Sequence, residues 1–319
     1  MALSELATPR LHACVTESVS TRLGDRFNNT SHRKERIMEL SIYTNFFADL
    51  PLEPRLEKIA AAGFRHCELD APIPEGRSPA KLRAHADALG LKLHQAHGYW
   101  GEFLAPGSAE WKARVALFRR EIATAAELGV ATIVAHTMNK AKILADDPLE
   151  KARRVFAHNL EFFAAVRPDL ERFGVRIAIE NLIDRGEGFT TIDELLELVD
   201  ALGSDSFGIC LDSGHLNQAC GDFTRFFAKA GKKLIATHMH DCLMLPGGHD
   251  LHLFPLFSSY DSWIDWTLVR DCLLGIGYEG TFNLETPGEG PGAKTPLWMR
   301  EKKLAYVFDT LTTFLGMEA

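Results

Sequence analysis

From residue 38 onward the chain alternates between short apolar runs and longer stretches with apolar residues every three or four positions. The short runs are 39–44, 65–69, 91–96, 131–136, 175–180, 207–212, 233–238 and 280–285. Most are rich in β-branched and aliphatic residues, the pattern of parallel strands buried on both faces. Between them, 53–62, 79–89, 110–128, 148–172, 192–202, 221–230 and 262–275 carry helical spacing, and a last helix fits 296–315. Gly63, Gly90, Gly129, Gly174, Gly203 and Gly277 each follow a helical stretch, where a left-handed C-cap belongs. Thr191 and Glu194 have the spacing of a capping box.

Eight strands alternating with eight helices predict a single-domain (β/α)8 TIM barrel over 38–319. An open doubly wound sheet is the alternative, but no GxGxxG follows the first strand, so its dinucleotide-binding version loses support. Residues 1–37 are polar and basic with no sustained period, and read as a flexible N-terminal extension. Met38, directly before the first strand, is a candidate natural start. If so, the extension would be missing from protein purified from its native source.

The 319 residues carry 46% hydrophobic side chains, as a soluble globular protein does. No apolar stretch reaches the roughly 18 residues of a membrane span, and no secretory signal opens the chain. The expected location is therefore cytoplasmic, with no membrane partner. The cysteines, among them Cys67 and Cys210 in apolar runs, are scattered without a CxxC pair and read as reduced thiols. A net charge of −8 disfavours nucleic acid as a partner without excluding it.

Acidic and histidine residues recur where the strands end: Glu180, Asp212 with His215, His238 with His240 and Asp241, and Glu285. In a barrel, function lies at these ends. Oxygen and imidazole donors converging without thiolates suit a divalent metal. Each residue also has a plain structural use. Glu180 and Glu285 could form ion pairs, Asp212 could cap a helix, and His215 could be a satisfied loop histidine. Ser213-Gly214 reads as a turn bringing Asp212 and His215 together. Of His238 and His240, one suffices as a ligand; His238 is preferred, with His240 behind it or on substrate. Asp241 would orient an imidazole or pair at the surface. His97, after the third strand, and His136, ending the fourth, are more often core or substrate-binding residues. Asp250 and His252 fall in what reads as a loop. Tyr43, Phe46, Phe47, Tyr99 and Trp100 are either an apolar wall over substrate or packing on the barrel rim.

In their order along the chain, Ile179-Glu180-Asn181, Asp212-x-x-His215, His238-x-x-Asp241 and Leu284-Glu285-Thr286 resemble the xylose-isomerase-like barrel superfamily. So does the run from Ile264 through Gly277-Tyr278-x-Gly280. That superfamily holds sugar isomerases and epimerases, inosose dehydratases and endonuclease IV. The resemblance covers about 38–315. It implies one divalent ion (Mn, Mg, Co or Zn) held by Glu180, Asp212, His238 and Glu285. It also implies catalysis by Glu180 and Glu285, which shuttle a proton of a sugar, polyol or keto-sugar through a cis-enediolate. His215 would then contact substrate or lie behind the ligands. An elimination or deglycosylation on a keto-sugar or inosose would use the same parts.

The chain is also similar to endonuclease IV at its nine zinc-ligand positions: His97, His136, Glu180, Asp212, His215, His238, Asp250, His252 and Glu285. A multinuclear zinc phosphodiesterase acting on abasic DNA is therefore the alternative. Against it, the region after the first strand lacks a basic stretch, and the opening lacks that family's glycine-rich start. Barrels of this kind often pair, so a homo-oligomer is open.

Overall fold

The computed structural model describes residues 38–71, 77–101, 104–138, 147–183, 189–245, 249–257, 264–288 and 294–317. The 1–37 extension lies outside them. Of Tyr99, Trp100 and Asp250 only the backbone is described.

Eight parallel strands form the barrel: β1 (Glu39–Tyr43), β2 (His66–Asp70), β3 (Lys92–Trp100), β4 (Thr132–His136), β5 (Arg176–Glu180), β6 (Phe207–Asp212), β7 (Leu234–His238) and β10 (Thr281–Leu284). They pair in sequence order, and β10 returns to β1. The last seam joins β7 to β10 through a parallel bridge between Met239 and Leu284. Thr237 fastens it, donating from its hydroxyl to the Thr281 carbonyl at 2.8 Å and accepting from Asn283 N–H at 3.2 Å. A closed barrel leaves no strand edge unpaired.

Around the barrel run α1 (Leu52–Ala61), α2 (Pro79–Ala88), α3 (Ala109–Leu128), α4 (Pro148–Phe173), α5 (Ile192–Leu202), α7 (Phe223–Ala230), α8 (Trp266–Ile276) and α9 (Leu297–Phe314). Their ends follow the local chemistry. Ser78, Ser108, Asp147, Asp222 and Asp265 cap N-termini with side-chain oxygens, and Thr191 and Glu194 form the full capping box. Gly129, Gly174, Gly203 and Gly277 end their helices in the left-handed conformation. Between barrel and helices lies an apolar layer that includes Phe64, Phe118, Phe162, Phe163, Phe226 and Phe282, all fully buried. Each such ring contributes roughly 1.5–3 kcal/mol by leaving water.

Three features depart from the sequence expectations, and one open choice is decided. Strand β3 extends to Trp100, so His97 lies within a strand rather than after it. Ser213-Gly214 opens a short helix, α6 (Ser213–Gln218), instead of a turn. Residues 241–253 hold an antiparallel hairpin, β8 (Asp241–Leu245) with β9 (His249–Leu253), so Asp250 and His252 stand on a strand. Phe46 and Phe47 join the core, their rings 4.9 Å apart edge to face, with Arg300 5.6 Å above Phe47. For these two, rim packing is the right reading. Tyr43 is buried with its ring 6.2 Å from His97, toward the strand ends.

Candidate metal centre

The strand ends bring together Glu68, His97, His136, Glu180, Asp212, His215, His238, His240, His252 and Glu285. Glu180 sits at the middle. Its Oε2 lies 3.2 Å from His238 Nδ1, 3.3 Å from His136 Nε2 and 3.8 Å from His97 Nε2, and its Oε1 lies 3.3 Å from His215 Nδ1. Glu285 reaches the same place from β10: its oxygens are 3.7 Å from His238 Nδ1 and 3.7 Å from His97 Nε2. A donor atom each from Glu180, Asp212 and His215 falls within 4.8 Å of the others, as do donors from His97, His238 and Glu285.

Asp212 serves two purposes. Its Oδ1 caps α6 by accepting from His215 N–H at 2.6 Å, and both oxygens lie 3.0–3.1 Å from His240 Nε2. Asn181 fixes it by backbone pairing, donating to the Asp212 carbonyl at 3.0 Å and accepting Asp212 N–H at 2.8 Å. Cap and site residue are therefore the same carboxylate.

Ser213 accepts His240 N–H at 2.9 Å and donates to the His238 or His240 carbonyl at 3.2 or 2.8 Å. His240 Nδ1 faces the Asp241 carbonyl at 3.0 Å. The Asp241 side chain is buried and accepts from the Trp266 indole at 3.1 Å, so it does not pair at the surface. His252 stacks on His240 with centroids 3.6 Å apart and reaches the Glu285 carbonyl at 2.7 Å and its Oε2 at 3.4 Å. Asp250, on the same strand, has no described side chain to place.

Glu68 is the residue the sequence reading missed. It sits mid-strand in β2, fully buried, with Oε1 3.0 Å from His238 Nε2 and Oε2 accepting from Asn283 Nδ2 at 2.6 Å.

Imidazolium charge balances the carboxylates. Burial alone would raise Glu180, but His136 and His238 draw it well below the usual range. Asp212 is likewise lowered, by His215 and His240 against burial. Burial disfavours a charged His215, yet Asp212 and Glu180 lift it to about 10. His238 is raised well above its ordinary value against burial, with Glu68, Glu285 and Glu180 around it. The adjacent Cys210 thiol is pushed up by burial and stays neutral. His97 is lowered, by burial and then by its neighbour His136. Burial pushes Glu285 up to about 8 even with His238 and His252 close by.

A divalent cation fits this arrangement. Glu180 Oε2 and His238 Nδ1 are buried, face each other and have no hydrogen-bond partner. Buried polar atoms are rarely left so. Two carboxylates and an imidazole converging there are the oxygen–nitrogen donor set of Zn²⁺ or Mn²⁺.

A family model of xylose isomerase-like TIM barrels matches residues 56–304. The chain belongs to this family. An uncharacterized Sinorhizobium fredii protein is 27% identical over 243 residues, 75% of this chain and 72% of that one. A probable ketose 3-epimerase of Synechocystis sp. is 27% identical over 164 residues, 48% of this chain and 55% of that one. Among solved structures, a D-psicose 3-epimerase crystallised in the presence of D-fructose has a TM-score of 0.70 at 18% identity, covering 88% of this chain and 100% of its own. The IolI protein with a bound zinc atom has a TM-score of 0.71 at 17% identity, covering 87% and 98%. At such identities these structures share the fold with this xylose isomerase-like barrel. No helix among its described residues is long and apolar enough to cross a membrane.

Proposed function

We propose that this barrel is a divalent-metal-dependent isomerase or epimerase of a sugar or sugar-like keto-polyol. The observation that carries the reading is the pair of glutamates, Glu180 and Glu285, flanking His238 Nδ1 at 3.2 and 3.7 Å from different strands. Glu180, Asp212, His238 and Glu285 would hold the ion, as the sequence resemblance implies. When bound, it supplies Lewis acidity that makes the carbon beside a carbonyl easier to deprotonate.

The chain's own residues supply the rest. Glu180 and Glu285 approach the site from β5 and from the end of β10. Two carboxylates on opposite sides of a substrate carbon can remove a proton from one face and return one to the other. The buried strand ends limit water at the reacting carbon. The ketose 3-epimerase relative and the epimerase neighbours support a sugar as substrate. Elimination from a keto-sugar or inosose would draw on the same base.

The test is exchange of the substrate's α-proton with solvent deuterium, followed by NMR on a panel of ketoses. Glu180→Gln and Glu285→Gln should each slow exchange by about 10²–10⁴-fold, the usual worth of a positioned acid or base. Exchange at the parent rate in both variants rejects the reading.

A second reading is a multinuclear zinc phosphodiesterase. It is favoured by the additional donor groups His97–His136–Glu180 and His240–His252–Glu285 beside the central one. Metal stoichiometry separates the two.

A further inference from the structure

Glu68 is fully buried on β2, a strand that supplies none of the donor groups found among the described residues. It joins three strands: its Oε1 meets His238 Nε2 of β7 at 3.0 Å, and its Oε2 accepts from Asn283 Nδ2 of β10 at 2.6 Å. A carboxylate at full burial is costly unless its oxygens are satisfied. Here both are, and one of the two donors is the imidazole at the centre of the site.

The consequence lies in which nitrogen of His238 carries the proton. As a carboxylate, Glu68 can only accept, so the proton between the two groups sits on His238 Nε2. That leaves the Nδ1 lone pair as the donor facing Glu180 Oε2 and Glu285 Oε2. Metal-ligating histidines commonly give their other N–H to a carboxylate, which fixes the tautomer and strengthens the ligand.

We propose that Glu68 is a positioning residue of the metal centre: it locks His238 with its proton on Nε2 and its Nδ1 lone pair on the ion, and adds a buried negative charge behind that ligand. Asn283 in turn holds the second Glu68 oxygen, so the relay runs Asn283–Glu68–His238. The inference rests on the metal reading above.

The experiment is calorimetric titration of chelator-stripped full-length protein with Zn²⁺ and with Mn²⁺, for the parent chain, Glu68→Gln and Glu68→Ala. Gln keeps the acceptor for His238 and can donate to a flipped Asn283 amide, so it removes charge while preserving shape. The expected loss of affinity is about 10–100-fold for Glu68→Gln, as for other outer partners of ligating histidines, and larger for Glu68→Ala. Circular dichroism and the thermal midpoint of the stripped proteins serve as the folding control. A second arm needs no variant. In ¹⁵N-histidine-labelled, zinc-loaded parent protein, His238 should show a slowly exchanging, hydrogen-bonded Nε2–H and a metal-shifted Nδ1. A parent protein that binds no metal rejects the metal reading itself. A parent that binds, with folded variants binding within about threefold of it or with zinc on Nε2, overturns the role of Glu68 alone.

Discussion

His238 Nδ1 and Glu180 Oε2 lie 3.2 Å apart, both buried, with no hydrogen bond to either. Two such atoms are held face to face by the barrel: Glu180 ends β5, and His238 ends β7 beyond the intervening β6. An ion that binds only the folded chain stabilises it by mass action. At a free-ion concentration a hundred times the Kd, the gain is about 2.7 kcal/mol. Stripping the protein with chelator should therefore lower its thermal midpoint by several degrees, and Mn²⁺, Co²⁺ or Zn²⁺ should restore it. His238→Ala should abolish that restoration. A midpoint indifferent to chelator and metal argues against an ion at this position.

Gly214 makes room for His240. A Cβ at this position would lie 2.1 Å from His240 Cε1. Its backbone φ is unexceptional, so the requirement is for space rather than for conformational freedom. Gly214→Ala should push the imidazole off Asp212 and destabilise the fold by about 1–3 kcal/mol, as overpacking does. The urea midpoint reads the stability loss, and ketose turnover reads the displacement of His240. Unchanged values in both would mean that α6 moves aside freely.

The barrel was legible because most strands are short apolar runs and most helices end at or beside a glycine. Asp212, His238 and Glu285 were legible because they stand where such runs stop. Glu68 was not, because its partner His238 is 170 residues away and a carboxylate within His66-Cys67-Glu68-Leu69-Asp70 reads as an ordinary outward position. The β8–β9 hairpin had a usable signal. Leu243 and Leu245 alternate with polar or softer neighbours, Leu251 and Leu253 do the same, and Pro246-Gly247-Gly248 separates the two runs. Reading Asp250 and His252 as loop residues overlooks that alternation.

Arg300 on α9 clamps Asp49 beside the first barrel strand with two hydrogen bonds of 2.7 Å each. Those bonds, working against partial burial, hold the Asp49 carboxyl below its ordinary value. A depressed carboxylate stabilises the fold above its unfolded pKa of about 3.9 and loses that contribution as pH falls through the lower folded value. Arg300→Met should cost about 1–3 kcal/mol near neutral pH, the worth of hydrogen bonds to a charged group. The difference in urea midpoint between parent and variant should stay constant down to about pH 5 and narrow below about pH 4, where unfolded Asp49 gains a proton. A gap that persists unchanged at pH 3 would trace the effect to the stacking of Arg300 on Phe47 instead.

The number of ions per chain separates the two readings of the centre, and His136 is the residue on which to test it. Its Nε2 lies 3.3 Å from Glu180 Oε2, and with His97 it makes a donor group on the β3–β4 side of the site. In a single-ion isomerase, His136 holds the Glu180 carboxylate or contacts substrate. His136→Ala should then leave about one metal per chain by elemental analysis while lowering turnover. In a multinuclear zinc site, His136 is itself a ligand. The parent chain should then carry two to three zincs and the variant one fewer, with hydrolysis of a phosphodiester at an abasic site lost alongside. A parent chain with one ion, undiminished in His136→Ala, leaves the phosphodiesterase without the metal its chemistry needs.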